Sequence, residues 1–140
     1  MAKKVILVDD DLDDCELFLT FFANRKDIHV LPPLLNGIEL IDYLEKIKSA
    51  DDLPNLIILD QNMPKMNGKQ TLAFLKSKKR YAEISAVVYS TYTDSALITD
   101  CTQLGADMVT TKPIDNEGYQ KMMDDFMEIV KRRESYSRNA

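Results

Sequence analysis

Short runs of branched apolar residues alternate along the chain with longer stretches of helical period. Val5-Ile6-Leu7-Val8 and Leu56-Ile57-Ile58-Leu59 are unbroken apolar runs, as strands covered on both faces must be. After the first run, Leu12, Cys15, Phe18, Leu19 and Phe22 recur at three- and four-residue spacing and predict an amphipathic helix. A strand around Ile28-His29-Val30-Leu31 is stopped by Pro32-Pro33, because proline cannot donate to a ladder. A helix over residues 37–48 follows, with Ile38, Ile41, Leu44 and Ile47 on one side, and then a turn at Asp51-Asp52-Leu53-Pro54. Beyond the loop Met63-Pro64-Lys65-Met66-Asn67-Gly68, a helix carries Leu72 and Leu75 inward. Ala86-Val87-Val88-Tyr89 reads as a fourth strand and residues 94–104 as a helix closed by Gly105; Met108-Val109-Thr110 reads as a fifth strand. The last helix, over residues 116–132, presents Tyr119, Met122, Met123, Phe126, Ile129 and Val130, and residues 134–140 read as a short tail, frayed from Ser135 onward. Five β-then-α units imply an α/β fold: a doubly wound parallel sheet with helices on both faces, a three-layer sandwich.

Composition narrows the class. The chain has 140 residues, 45 % of them hydrophobic, with 18 Lys plus Arg against 23 Asp plus Glu and a net charge of −5. That is one domain, residues 1–133, with a core of ordinary size. An acidic balance argues against direct nucleic-acid binding, which requires basic groups on phosphates. No apolar stretch approaches a membrane span or a signal peptide, so a cytoplasmic location is expected. Cys15 and Cys101 lie far apart with no CxxC or Cys/His spacing, and His29 is the only histidine; they read as buried small residues and a strand residue, not as a disulfide or a zinc site.

The chemistry lies at the strand ends. Asp9, Asp10 and Asp11 follow the first strand, Asp60 the third, Ser90 and Thr91 the fourth, and Thr111 and Lys112 the fifth. In an open parallel sheet the crevice beyond the carboxyl ends of the strands is where ligands bind. Asp11 reads as a helix cap, and Asp13, Asp14 and Glu16 as a solvated helix face. Two carboxylates ~4 Å apart repel by about 4 kcal/mol at an effective dielectric near 20, and Lys112 offsets only one charge. A hard divalent cation with oxygen ligands, Mg²⁺, fits the remainder and leaves positions open for phosphate oxygens. Carboxylate, hydroxyl, ammonium and metal around one point form a phosphoryl-transfer site, and a carboxylate nucleophile yields an aspartyl phosphate. Neither GxxxxGK[ST] nor GxGxxG occurs, which argues against a bound nucleotide as donor.

Val8-Asp9-Asp10, Leu59-Asp60-Gln61-Asn62-Met63-Pro64 with Asn67-Gly68, Ser90, Gly105-Ala106 and Thr111-Lys112-Pro113 together resemble the receiver domain of two-component response regulators. The resemblance implies a flavodoxin-like (βα)₅ fold with strand order 2-1-3-4-5. It implies that Asp60 accepts a phosphoryl group from a phosphohistidine on a sensor histidine kinase or histidine phosphotransfer protein. Asp10 and Asp60 would bind Mg²⁺ through their side chains, Asn62 through its backbone carbonyl and Asp9 through water. Ser90 and Lys112 would contact phosphoryl oxygens, and the Lys112-Pro113 bond is expected to be cis. Phosphorylation would repack the face formed by the helix after Asp94, the fifth strand and the last helix, and so switch binding to a downstream protein target.

The chain also departs from the family pattern. Val109 stands where many members carry an inward-swinging aromatic residue, and Tyr92, two residues past Ser90, is expected to shield the acyl phosphate from water. No DNA-binding or enzymatic output segment follows residue 132, so a single-domain regulator is expected. Lys131, Arg132, Arg133 and Arg138 read as complementing a helix C-terminus, with a homodimer or partner contact as the alternative. Two other readings share parts of the pattern. A small haloacid-dehalogenase-like phosphatase would need a DxDx[TV] nucleophile motif after the first strand, which Asp9-Asp10-Asp11-Leu12-Asp13 does not complete. A degenerate receiver acting as a constitutive docking domain would lack acceptor-site groups that this chain has.

Overall fold

The computed structural model describes residues 1–139, with side chains through 136. Strand and helix alternate: β1 Lys3–Val8, α1 Leu12–Phe22, β2 Ile28–Val30, α2 Gly37–Glu45, β3 Leu56–Asp60, α3 Gly68–Ser77, β4 Ser85–Ser90, α4 Ser95–Leu104, β5 Met108–Thr111 and α5 Asn116–Asn139, with a 3₁₀ turn at Ala50–Asp52. The strands form one parallel sheet in the order β2-β1-β3-β4-β5. This is the flavodoxin-like order that the family resemblance implied.

The period of two along each strand divides the core. Val5 and Leu7 of β1 pack with Phe18, Phe22 and Phe126 in the layer of α1 and α5. Ile6 and Val8 pack with Leu40, Leu44, Leu72 and Leu75 in the layer of α2, α3 and α4. Both faces of β3, and of β1 from Val5 to Val8, are therefore dry, and over Val5–Val8 and Leu56–Leu59 these two strands carry no polar residue. Helix starts are set by side-chain caps at Asp11, Asn36, Asn67 and Asp94. Gly105 closes α4 at φ 106°, a conformation that disfavours any residue with a Cβ.

Some expected faces differ. Leu12 and Leu19 are exposed, and the buried stripe of α1 is Cys15, Phe18 and Phe22. In α2 the cap at Asn36 sets the phase so that Leu40 and Leu44 face the sheet, while Ile38 is exposed. The expected tail at 134–140 is instead helical through Asn139. Ion pairs Lys3–Glu134 at 2.8 Å and Arg133–Asp107 at 2.6 Å tie the continuing helix to β1 and to the turn before β5. Arg133 thus serves this tie, while the side chain of Arg138 and residue 140 lie outside the described residues. Among the described residues, no helix is long and apolar enough to cross a membrane.

Candidate functional site

Strand register brings the polar residues to one rim. Val8 pairs with Leu59, Asp60 with Tyr89 and Ser90 with Thr111, and the Lys112 N–H extends the ladder by donating to the Ser90 carbonyl at 2.8 Å. The same period of two points Asp9, Asp60 and Tyr89 toward the α1–α5 side, two positions beyond Leu7, Ile58 and Val87 respectively. Gly68 lets α3 start against the end of β3. A Cβ there would lie 2.6 Å from the Asp60 carbonyl oxygen and 2.9 Å from Gln61 Cα.

Asp9 is fully buried and heavily bonded. Its Oδ1 accepts from the Asp11 N–H at 2.9 Å, and its Oδ2 accepts from the Tyr89 hydroxyl and, at 3.2 Å, from Lys112 Nζ. Asp60, 3 % exposed, accepts from the Asn62 N–H at 3.3 Å and lies 3.4 Å from Lys112 Nζ. Asp10 is exposed at the mouth. Asp9, Asp10 and Asp60 each offer an oxygen within 4.8 Å of the others. Burial, and then the charge of Asp9, push the Asp60 carboxyl up to about 7, against the opposing pull of Lys112. Burial opposes the charged form of Lys112, but its bond to Asp14 and the charges of Asp9 and Asp60 outweigh that and hold it above the ordinary lysine range. The Lys112 ammonium also sits 4.8 Å above the Tyr89 ring.

An all-oxygen donor set with carboxylates this close fits a hard divalent cation such as Mg²⁺. The pocket holds more negative charge than Lys112 balances, and a cation would relieve the repulsion that raises Asp60.

The structure gathers Asp9, Asp10, Asp60, Ser90 and Lys112 at this rim. Ser90 is buried at the end of β4, and Thr91 beside it is exposed. Asn62 lies exposed in the β3–α3 loop. Val109 packs against the α2–α3–α4 layer. Two expectations, on the Lys112-Pro113 bond and on Asp14, need correction. The Lys112-Pro113 peptide is trans, since every peptide bond described is; trans is the favoured isomer before proline, and the lysine reaches the carboxylates from it. Tyr92, two residues past Ser90, is exposed. Asp14 is no solvated bystander: it binds Lys112 at 2.7 Å and is 23 % exposed. Two further partners, Asp14 and Tyr89, were not among the expected site residues. Both carried a signal in their spacing. Tyr89 lies on the Val87 side of β4, and Asp14 lies one helical turn before Phe18 on the buried stripe of α1.

A parallel sheet of this order with clustered acids and one embedded lysine at its carboxyl edge defines a receiver-type domain. The model of the response regulator receiver domain matches residues 5–124, and the chain belongs to that family, which serves two-component signalling. It is 33 % identical over 138 residues to a protein-glutamate methylesterase/protein-glutamine glutaminase of Clostridium acetobutylicum, covering 97 % of this chain and 37 % of that protein. The chain spans half or less of the length of such curated relatives. Among solved structures it is similar to the phosphorylated cyanobacterial phytochrome response regulator RcpA, at 29 % identity and TM-score 0.72, covering 97 % and 94 % of the two chains. It is also similar to the Mn²⁺-bound form of response regulator Rcp1, at 25 % identity and TM-score 0.70, covering 96 % and 93 %.

Proposed function

We propose that this chain is a phosphoacceptor switch in which Asp60 takes a phosphoryl group from a phosphohistidine of a sensor histidine kinase or histidine phosphotransfer protein. The observation that carries the reading is the placement of three carboxylates within 4.8 Å of one another with the Lys112 ammonium among them. An Asp60 oxygen attacks phosphorus, the P–N bond breaks, and its electron pair returns to the imidazole nitrogen of the donor. Hydrolysis then transfers the phosphoryl group to water, restoring the carboxylate and releasing inorganic phosphate.

Asp9, Asp10 and Asp60, with the Asn62 carbonyl, would hold Mg²⁺, which supplies neutralisation of the charge that develops on the phosphoryl oxygens. Ser90 donates to one phosphoryl oxygen and Lys112 pairs with another. The acyl phosphate adds about one negative charge, and Ser90 and Lys112 are the groups able to answer it. Their movement shifts the ends of β4 and β5 and repacks the face of α4, β5 and α5, where a downstream protein would bind. The bound Mn²⁺ of the Rcp1 structure and the phosphorylated state of RcpA support both halves of this reading.

The test is incubation with acetyl phosphate and Mg²⁺ followed by intact mass. Wild type is expected to gain one phosphoryl group and Asp60→Asn none; equal labelling of the two refutes the assignment. Catalytic turnover of a generic phosphate ester would favour a phosphatase instead. Amide NMR with a fluoroberyllate mimic should show shifts concentrated on α4, β5 and α5.

A further inference from the structure

The Lys112 ammonium has three N–H donors and three carboxylates around it. Its shortest contact is not to the central pair but to Asp14 Oδ2, at 2.7 Å, against 3.2 Å to Asp9 and 3.4 Å to Asp60. Asp14 comes from the first turn of α1, where the Asp11 cap accepts from its backbone N–H and fixes its backbone in the helix. The Tyr89 ring lies beneath the ammonium. The lysine is thus held on the α1 side of the pocket, with its weakest contact to Asp60.

We infer that Asp14 is a positioning residue: it anchors Lys112 in the unphosphorylated arrangement and sets how readily the lysine is surrendered to a phosphoryl group on Asp60. This rests on the phosphoacceptor reading above. A phosphoryl group on Asp60 recruits Lys112 only by loosening its bond to Asp14. The anchor therefore favours the unphosphorylated state, and removing it favours the phosphorylated one. Asp13, adjacent in sequence but exposed, carries the same charge without touching the lysine and so controls for the general field.

The experiment measures fluoroberyllate affinity at saturating Mg²⁺ for wild type, Asp14→Asn, Asp14→Ser, Asp14→Glu and Asp13→Asn, with urea stability recorded for each. Asp14→Asn and Asp14→Ser are expected to bind fluoroberyllate about fivefold more tightly, the worth of one partly buried ion pair. Asp14→Glu restores the wild-type affinity, and Asp13→Asn stays within about twofold of it. A structural role alone would lower stability without tightening binding. If wild type fails to bind fluoroberyllate, the phosphoacceptor reading falls. If wild type binds but neither Asp14→Asn nor Asp14→Ser tightens, or Asp13→Asn tightens equally, the role of Asp14 falls while the phosphoacceptor reading stands.

Discussion

Replacing Asp60 by Asn in the metal-free protein tests the electrostatics of the pocket directly. Asp60 is buried beside Asp9, and its carboxyl is pushed from 3.8 up to about 7, by burial first and the Asp9 charge second. Between these values the native state holds a proton that the unfolded chain has released. Stability from this group is therefore fully present at low pH and is lost as pH rises through about 7. Each pH unit is worth about 1.36 kcal/mol, so the interval from pH 5 to about 7 gives about 2.7 kcal/mol before screening. Water at the mouth around the exposed Asp10 screens the site and brings the expectation to ~1.5–2 kcal/mol. Asn has no such loss, so the stability advantage of Asp60→Asn over wild type should widen by that amount from pH 5 to pH 8. Urea denaturation in EDTA at the two pH values measures it. A gap that stays constant or narrows refutes the argument. Saturating Mg²⁺ at pH 8 should then shrink the advantage, because a cation that binds only the folded state stabilises the carboxylate form.

The same proton competes with metal, so Mg²⁺ affinity followed by titration should fall toward about tenfold per pH unit below pH ~7 and level off above it. Tyr89→Phe removes the hydroxyl that donates to buried Asp9 and should cost about 1.5–3 kcal/mol in urea denaturation, as expected for a hydrogen bond to a charged group; a loss under ~0.5 kcal/mol would show that Asp9 finds another donor. Gly68→Ala places a Cβ 2.6 Å from the Asp60 carbonyl oxygen. Because backbone rather than a flexible side chain stands in the way, it should cost about 1–3 kcal/mol and weaken Mg²⁺ binding, both readable from denaturation with and without the ion.

The architecture was legible because its signals were local and repeated: unbroken apolar strands, helical stripes, and caps such as Asp11 and Gly105 at their expected places. The site was legible at the level of which strand ends carry chemistry. What escaped were contacts that depend on the third dimension. Asp14 looks like surface from its acidic neighbours, yet its spacing from Phe18 sets it on the inward side of α1, within 2.7 Å of a lysine 98 positions later. Tyr89 reads as an apolar strand residue until register places it opposite Asp60. The end of α5 was set too early because its apolar stripe stops at Val130. Beyond that point ion pairs through Arg133 and Glu134 carry the helix, and these leave no periodic trace. The trans Lys112-Pro113 bond shows that a lysine side chain is long enough to enter the pocket without help from the unusual isomer.

The placement of the mobile groups follows from the sheet itself. β3 is central, buried along its whole length and paired on both sides, so Asp60 cannot move to meet a new charge. β1 is likewise paired on both sides, and Asp9 is held by three donors. β2 is an edge but contributes no polar group to the pocket. β5 pairs only with β4, and its residues are half-buried or exposed. It carries Lys112 and is tied to β4 by the Lys112 N–H to Ser90 carbonyl bond and to the β4–α4 loop by the 2.8 Å Thr93–Thr111 hydroxyl bond. A force on either Ser90 or Lys112 is therefore shared between the end of β4 and the one strand of the site free to shift. With Val109 rather than an aromatic ring packed behind that strand, the displacement meets little volume to repack. Under the proposed switch, a charge added at Asp60 is expected to be read out through backbone coupling on the β5 side of the molecule.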